Sequence, residues 1–241
     1  MSSEPQADYG PTLGELLRPR LRALAPRQKI ALAGAALLVF GAIAATVIHV
    51  EAQKRSYTQT AADARARGLE PITFNFEHSR KLRIFKPPGD YVQAEWKAHG
   101  TLAASFSVSP FKISGQSGLL SGFMPIVATE LERTAARTYN HFRLQFEGRA
   151  RVGGVEGYQY AFAARILQPG KSPRQLFGRV AMLPEPYDVN DPSKGYPPGR
   201  IPTRGLKLTM LATTLDNVPS ATRVGDEGIL RRPFHSFSFG T

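Results

Sequence analysis

Side chains that could do chemistry are plentiful in this sequence, but few of them fall at spacings that make a site. Ser109-Pro110-Phe111-Lys112 fits S-x-x-K, the nucleophile pattern of penicillin-recognising enzymes. Pro110 sits where that fold needs a helix start, and no K-T-G or S-D-N element accompanies it, so chance explains the match. Gly115-Gln116-Ser117-Gly118 lacks the last glycine of a nucleophile elbow. His49, His78, His99, His141 and His235 include no pair four apart and no H-E-x-x-H, which argues against a zinc hydrolase. Asp188-Val189-Asn190-Asp191 opens like a calcium loop, but Pro192 takes its fifth position and neither the sixth-place glycine nor the twelfth-place glutamate follows. Gly153-Gly154-Val155-Glu156-Gly157 is followed by no G-K-[ST] and sits in a hairpin pattern, so it is no phosphate loop. The chain has no cysteine, which removes disulfides, thiolate metal sites and cysteine nucleophiles together. No catalytic residue, metal or cofactor is expected, and the sequence leans away from an enzyme.

Two groups remain that suit binding. Arg80, Lys81, Arg83 and Lys86 form the densest basic cluster, a candidate site for an anionic surface. Tyr187, Asp188, Tyr196 and Arg200 lie in PEPYDVNDPSKGYPPGRIP, residues 184–202, a candidate ligand loop. The chain of 241 residues carries 31 Lys and Arg against 19 Asp and Glu, a net charge of +12. All but two of those charges fall after residue 50, where they would attract anionic headgroups or envelope polymers in a salt-dependent way. Aromatics alternate with these cations as in strands with one face buried, so nucleic acid is not the expected partner.

What must position these groups begins with Ile30–Val50, IALAGAALLVFGAIAATVIHV, twenty-one residues without a charge. As a helix it would span about 32 Å, the thickness of a bilayer's hydrocarbon core, and it has no polar stripe. It is longer than a signal-peptide core and is read as an uncleaved anchor. Arg18, Arg20, Arg22, Arg27 and Lys29 precede it; Lys54, Arg55, Arg65 and Arg67 follow it. The slight excess before the span, and the ease with which long domains are translocated, put the N-terminus in the cytoplasm and the following domain outside it. Residues 1–29 read as a flexible tail, 30–50 as a transmembrane helix, 51–68 as a polar stalk and 69–241 as the soluble domain.

Within that domain, Phe74, Phe76, Leu82 and Ile84 give short period-2 pieces ending at Pro87-Pro88-Gly89. Tyr91 to Ile113 is extended with a break at His99-Gly100. Leu119 to Phe142 switches to helical spacing, with Ser121 as a cap and Pro125 in the first turn. A hairpin follows, 142–152 and 155–167, turning on Gly153-Gly154. Strands are expected over 175–183 and 206–215, a short helix capped by Ser220, and a closing strand FHSFSF at 234–239.

The hairpin RVGGVEGYQYAFAARI, the pair LFGRVAML and LKLTMLATTL, and the closing ILRRPFHSFSFG carry a family resemblance. The pattern G-x-x-G-Y-x-Y spans Gly154 to Tyr160, and S-F-x-F spans Ser236 to Phe239. Over residues 69–241 the chain resembles the PsbP-like domain, an α/β/α sandwich shared with Mog-type Ran-binding proteins. Photosystem members assist an oxygen-evolving centre and Mog-type members bind a small GTPase, so the resemblance implies a binding or accessory role. Two features depart from the familiar members: the membrane span, and the loop at 184–202, which looks inserted. No partner carries over, because fold alone does not fix function.

The sequence is therefore read as α+β, a single N-terminal transmembrane helix followed by an antiparallel-sheet α/β/α sandwich. The expected function is a non-enzymatic, membrane-held domain outside the cytoplasm that contacts a protein or the envelope. The bilayer is its expected partner through residues 30–50. The competing reading is an envelope enzyme or a carbohydrate- or ligand-binding protein with its site near the 184–202 loop.

Overall fold

A computed structural model describes residues 54–113, 120–167, 173–197 and 202–240. Ten strands are named in chain order: β1 (Lys54–Gln59), β2 (Phe74–Ser79), β3 (Arg83–Phe85), β4 (Val92–Ala98), β5 (Thr101–Lys112), β6 (Asn140–Val152), β7 (Val155–Ile166), β8 (Arg174–Pro184), β9 (Arg204–Thr213) and β10 (Ser238–Phe239). Three α-helices accompany them: α1 (Ala61–Ala66), α2 (Leu120–Thr138) and α3 (Arg231–His235). The domain is thus mostly sheet with few helices.

Seven strands form an antiparallel sheet in the order β3-β4-β5-β9-β8-β7-β6, and three more form a small sheet in the order β1-β2-β10. Two of the large sheet's hairpins are tight. His99 and Gly100 join β4 to β5, and Gly153 and Gly154 join β6 to β7, all four with positive φ. That pair of conformations matches the twist of antiparallel strands, which is why glycine is placed there.

Each face of the large sheet has its own core. On one face the alternating Phe74 and Phe76 of β2 meet Phe106 of β5 and Met210 of β9. Phe237 stacks on Phe74 at 5.6 Å, and Phe76 meets Phe106 edge-on at 5.0 Å. On the other face Met124 and Ala128 of α2 cover Phe162 of β7 and Leu176, Val180 and Met182 of β8. Burial of each such large side chain is worth about 2–3 kcal/mol.

Several expectations are corrected. On the large sheet α2 covers one face, while the small sheet and the short α1 and α3 cover the other. The polar stalk at 51–68 belongs to the folded body from Lys54 onward, because β1 pairs along its whole length with β2. Tyr57 and Gln59 point into that core, and the Tyr57 hydroxyl donates to Gln59 Oε1 at 2.8 Å. Serine, threonine and glutamine at these positions hid the period of the strand. Pro125 is the sixth residue of α2 rather than part of its first turn. Ser220 makes no capping bond, and only the 3₁₀ turn Ala221–Arg223 follows it. Of FHSFSF, only Ser238–Phe239 is strand, while Phe234 lies in α3. Among the described residues no helix is long and apolar enough to cross a membrane; the segment 30–50 lies outside them, as do residues 1–29.

Candidate functional site

The basic cluster is built by the edge of both sheets. β1 pairs with β2 so that Lys54 faces Ser79 and Arg55 faces His78. Arg80 and Lys81 follow Ser79 directly, so these four cations gather at one end of the small sheet. Buried Leu82 pins the turn into β3, whose Arg83 lies opposite Glu95 of β4. The Lys81 ammonium stands 5.6 Å from the Trp96 ring, and the Arg83 guanidinium 5.7 Å from the ring of Phe85, itself 40% exposed. Such cation–ring contacts hold long side chains over apolar surface while their charges stay in water.

Lys86 differs from its three neighbours. It follows β3, pairs with Asp63 of α1 at 3.1 Å and lies 5.9 Å from the Tyr57 ring. The structure therefore sets Arg80 and Lys81 beside Lys54 and Arg55, with Lys54 also 3.9 Å from Glu77, and pairs Lys86 with Asp63 instead.

The loop residues are occupied with the loop. The Tyr187 and Tyr196 rings meet edge-on at 5.9 Å. The Tyr196 hydroxyl donates to the Glu185 carbonyl, and burial pushes that phenol up to about 12. Asp188 accepts the Asn190 N–H at 3.0 Å, which makes it a turn former. Arg200 lies outside the described residues. At the base of the loop Arg204 bridges Glu185 and Glu70, the latter at 3.1 Å. Those bonds, led by the one to Glu185, raise the guanidinium above its ordinary range. A cleft of about 390 Å³ beside them is lined by Leu69, Glu70, Phe111, Lys112 and Arg204, and Tyr187, Asp188 and Tyr196 are not in its walls.

A polar constellation that the sequence did not reveal lies on the small-sheet face of the large sheet, towards β7 and β8. Arg179 of β8 is only 13% exposed at its side chain. Its Nε donates to Gln159 of β7 at 2.8 Å, and its Nη1 donates to Asp226 at 2.7 Å and to the Val224 carbonyl at 3.0 Å. The guanidinium lies 4.6 Å from the Phe234 ring, and His235 Nε2 lies 3.3 Å from Asp226. The residues come from positions 159, 179, 226 and 235, too far apart to form any motif. They line a cleft of about 240 Å³ together with Arg149 and Arg151. Among the described residues, those walls include no hydroxyl or thiol side chain. On the opposite face of the same hairpin a second cleft, of about 460 Å³, is lined by Met124, Arg149, Arg151, Glu156 and Tyr158. Ser109 and Lys112 sit three apart on β5, so they point to opposite faces and cannot cooperate. Among the described residues no group of three His, Asp or Glu could hold a metal ion.

A solved structure adds a likeness. No family model matches this chain, and no curated protein does. The chain is similar to a cyanobacterial PsbP. That solution structure, of CyanoP from Synechocystis sp. PCC 6803, aligns over 78% of this chain and 93% of its own. The sequence identity is 15% and the TM-score 0.40. The family named from the hairpin and terminal motifs is thus also that of a solved structure similar to this chain.

Proposed function

We propose that this chain is a single-pass membrane protein presenting a non-enzymatic binding domain outside the cytoplasm, with the basic end of its small sheet laid against anionic headgroups. The observation that carries this reading is the register of β1 on β2. It puts the chain's way into the domain, Lys54, beside Arg80 and Lys81. Only Glu51, Ala52 and Gln53 separate Lys54 from the apolar run ending at Val50, a reach of about 14 Å at most. An anchor at 30–50 would thus join the domain at its basic end. Lys54, Arg55, Arg80 and Lys81 would each contribute about 1 kcal/mol there at low salt. Trp96, with Lys81 over its ring, adds the amphipathic aromatic favoured at membrane interfaces.

Trp96 is the chain's single tryptophan, so its fluorescence reports on this end alone. With the full chain reconstituted in vesicles, headgroup-labelled quencher lipids should quench Trp96 more strongly as anionic lipid is added. Raised salt, or replacement of Arg80, Lys81 and Arg83 by alanine, should reverse that gain. Equal quenching in neutral and anionic vesicles would overturn the headgroup reading. Orientation is tested separately with Ser193→Cys, a unique thiol in a chain without cysteine. Labelling by an impermeant reagent in intact cells is expected, and protection would place the domain on the cytoplasmic side.

A further inference from the structure

We propose that the free edge of β6, along Phe146–Arg151, takes an extended acidic peptide segment as an eighth strand of the large sheet. This rests on reading the domain as a binding module and names the chemistry of what it binds. β6 is the last strand of the seven, and among the described residues its ladder partner is β7 alone. Half of its backbone N–H and C=O groups therefore point away from the sheet, a template for another strand. The ladder to β7 is irregular before Phe146 and continuous from Phe146 to Val152, so the regular template is this second half.

A peptide added to an edge sends alternate side chains to opposite faces, and pockets there decide which sequences fit. Here a cleft lies on each face at the same two residues, Arg149 and Arg151. On the α2 side Met124 and Tyr158 supply apolar wall, and the two arginines outweigh Glu156 to leave net positive charge. On the other side Phe234 and His235 stand beside the Arg179–Asp226 pair.

The sign of the occupant follows from the strand. β6 carries Arg143, Arg149 and Arg151 against Glu147 alone. A second copy would bring the same excess positive charge to itself, whereas an acidic strand meets it with opposite charge. Phe146, 45% exposed, offers an apolar contact at the head of the template. The partner is thus a polypeptide segment alternating apolar and acidic residues.

The test uses the full chain in neutral detergent, where no anionic headgroup is present, so that failure here leaves the membrane reading standing and the converse. The probe is a fluorescein-labelled decapeptide of alternating valine and glutamate. Saturable binding by anisotropy is expected, weakened by about tenfold or more in the exposed-site double variant Arg149→Glu, Arg151→Glu. The same peptide N-methylated at alternate amides, which cannot complete a ladder, should not bind. Circular dichroism with an unchanged melting temperature will show that the variant is folded. Equal binding of the N-methylated peptide, or of one with lysine for glutamate, would overturn the proposal. So would unchanged affinity in the double variant. Sedimentation of the chain as a dimer that the double variant dissociates would give the edge to a second copy instead.

Discussion

At one edge of the large sheet β3 contributes three residues before Pro87 and Pro88 end it; at the other, β6 runs for thirteen. Proline has no N–H to offer, so little more than Arg83–Phe85 could template a further strand at the first edge. Its cations lean over Trp96 and Phe85, or pair with Asp63, and their charges face outward from a backbone that is closed to pairing. The β6 edge has the opposite character, with backbone groups open along its length and a cleft on either face. The short edge offers charge and little backbone, whereas the long one offers an extended unpaired backbone. Under the two proposals, a flat anionic layer and a linear polymer would meet the domain at separate places.

The most forceful way to break that comparison is Gly157→Ala. Gly157 pairs with Ala150 of β6, and a Cβ there would overlap the Met182 carbonyl oxygen of β8. A backbone atom cannot yield as a side chain can, so a loss of about 1–3 kcal/mol is expected. Hydrogen exchange should accelerate in β6, β7 and β8 and be spared in β3 and β4. Uniform acceleration would mean that the two edges open as one unit.

Next in size is the unequal weight of the four basic residues. Arg80→Ala with Lys81→Ala should cut the anionic-lipid dependence of Trp96 quenching by about 1 kcal/mol per residue, whereas Lys86→Ala, which also frees Asp63, should change it less. Equal effects would erase the distinction between Lys86 and its neighbours.

A smaller effect concerns Glu132 of α2, which faces Glu147 of β6. Burial first, and then the Glu147 carboxylate, raise the Glu132 carboxyl above its ordinary value. A folded-state value above the unfolded one means that the folded form takes up a proton first as pH falls. Stability should therefore rise from neutral pH down towards the ordinary glutamate range. Glu132→Gln should remove that rise and melt higher than the parent at pH 7. A parallel pH profile for both proteins in thermal melts would contradict it.

The smallest expected change is the most telling for the open edge. Leu144 and Phe146 are 43% and 45% exposed, so Leu144→Ser and Phe146→Ser should each alter stability by no more than about 0.5 kcal/mol. A large loss in a melting curve would show that these side chains belong to the core rather than to a surface kept for a partner.

Much of this architecture was legible where period and turn chemistry were strong. The two glycines of the β6–β7 turn, the alternation of Phe74 with Phe76, and the helical spacing through Met124, Val127 and Leu131 each name their element. The second glycine of G-x-x-G-Y-x-Y also has a physical reason in the Met182 carbonyl beside it. β1 was hidden because its inward residues are a tyrosine and a glutamine, satisfied by each other rather than apolar. The basic cluster could be read because its members are sequence neighbours. The Arg179–Asp226–His235 constellation could not, because partners about fifty residues apart meet only through strand order. The loop residues are ambiguous in another way: tyrosines and aspartate there stabilise a turn-rich segment, a task with the same composition as a binding loop.

The small sheet joins the first two described strands to the last. Asn75 of β2 donates a hydrogen bond to the carbonyl of Gly240, 165 residues further on, and Phe74 is paired with Phe239. A ribosome adding about 5–20 residues per second needs roughly 8–33 s to cover that interval. For that time β2 has β1 but not its other neighbour, and the aromatic face of Phe74 and Phe76 waits for Phe237. Completion of the small sheet therefore waits for β10, long after β1 and β2 have been made.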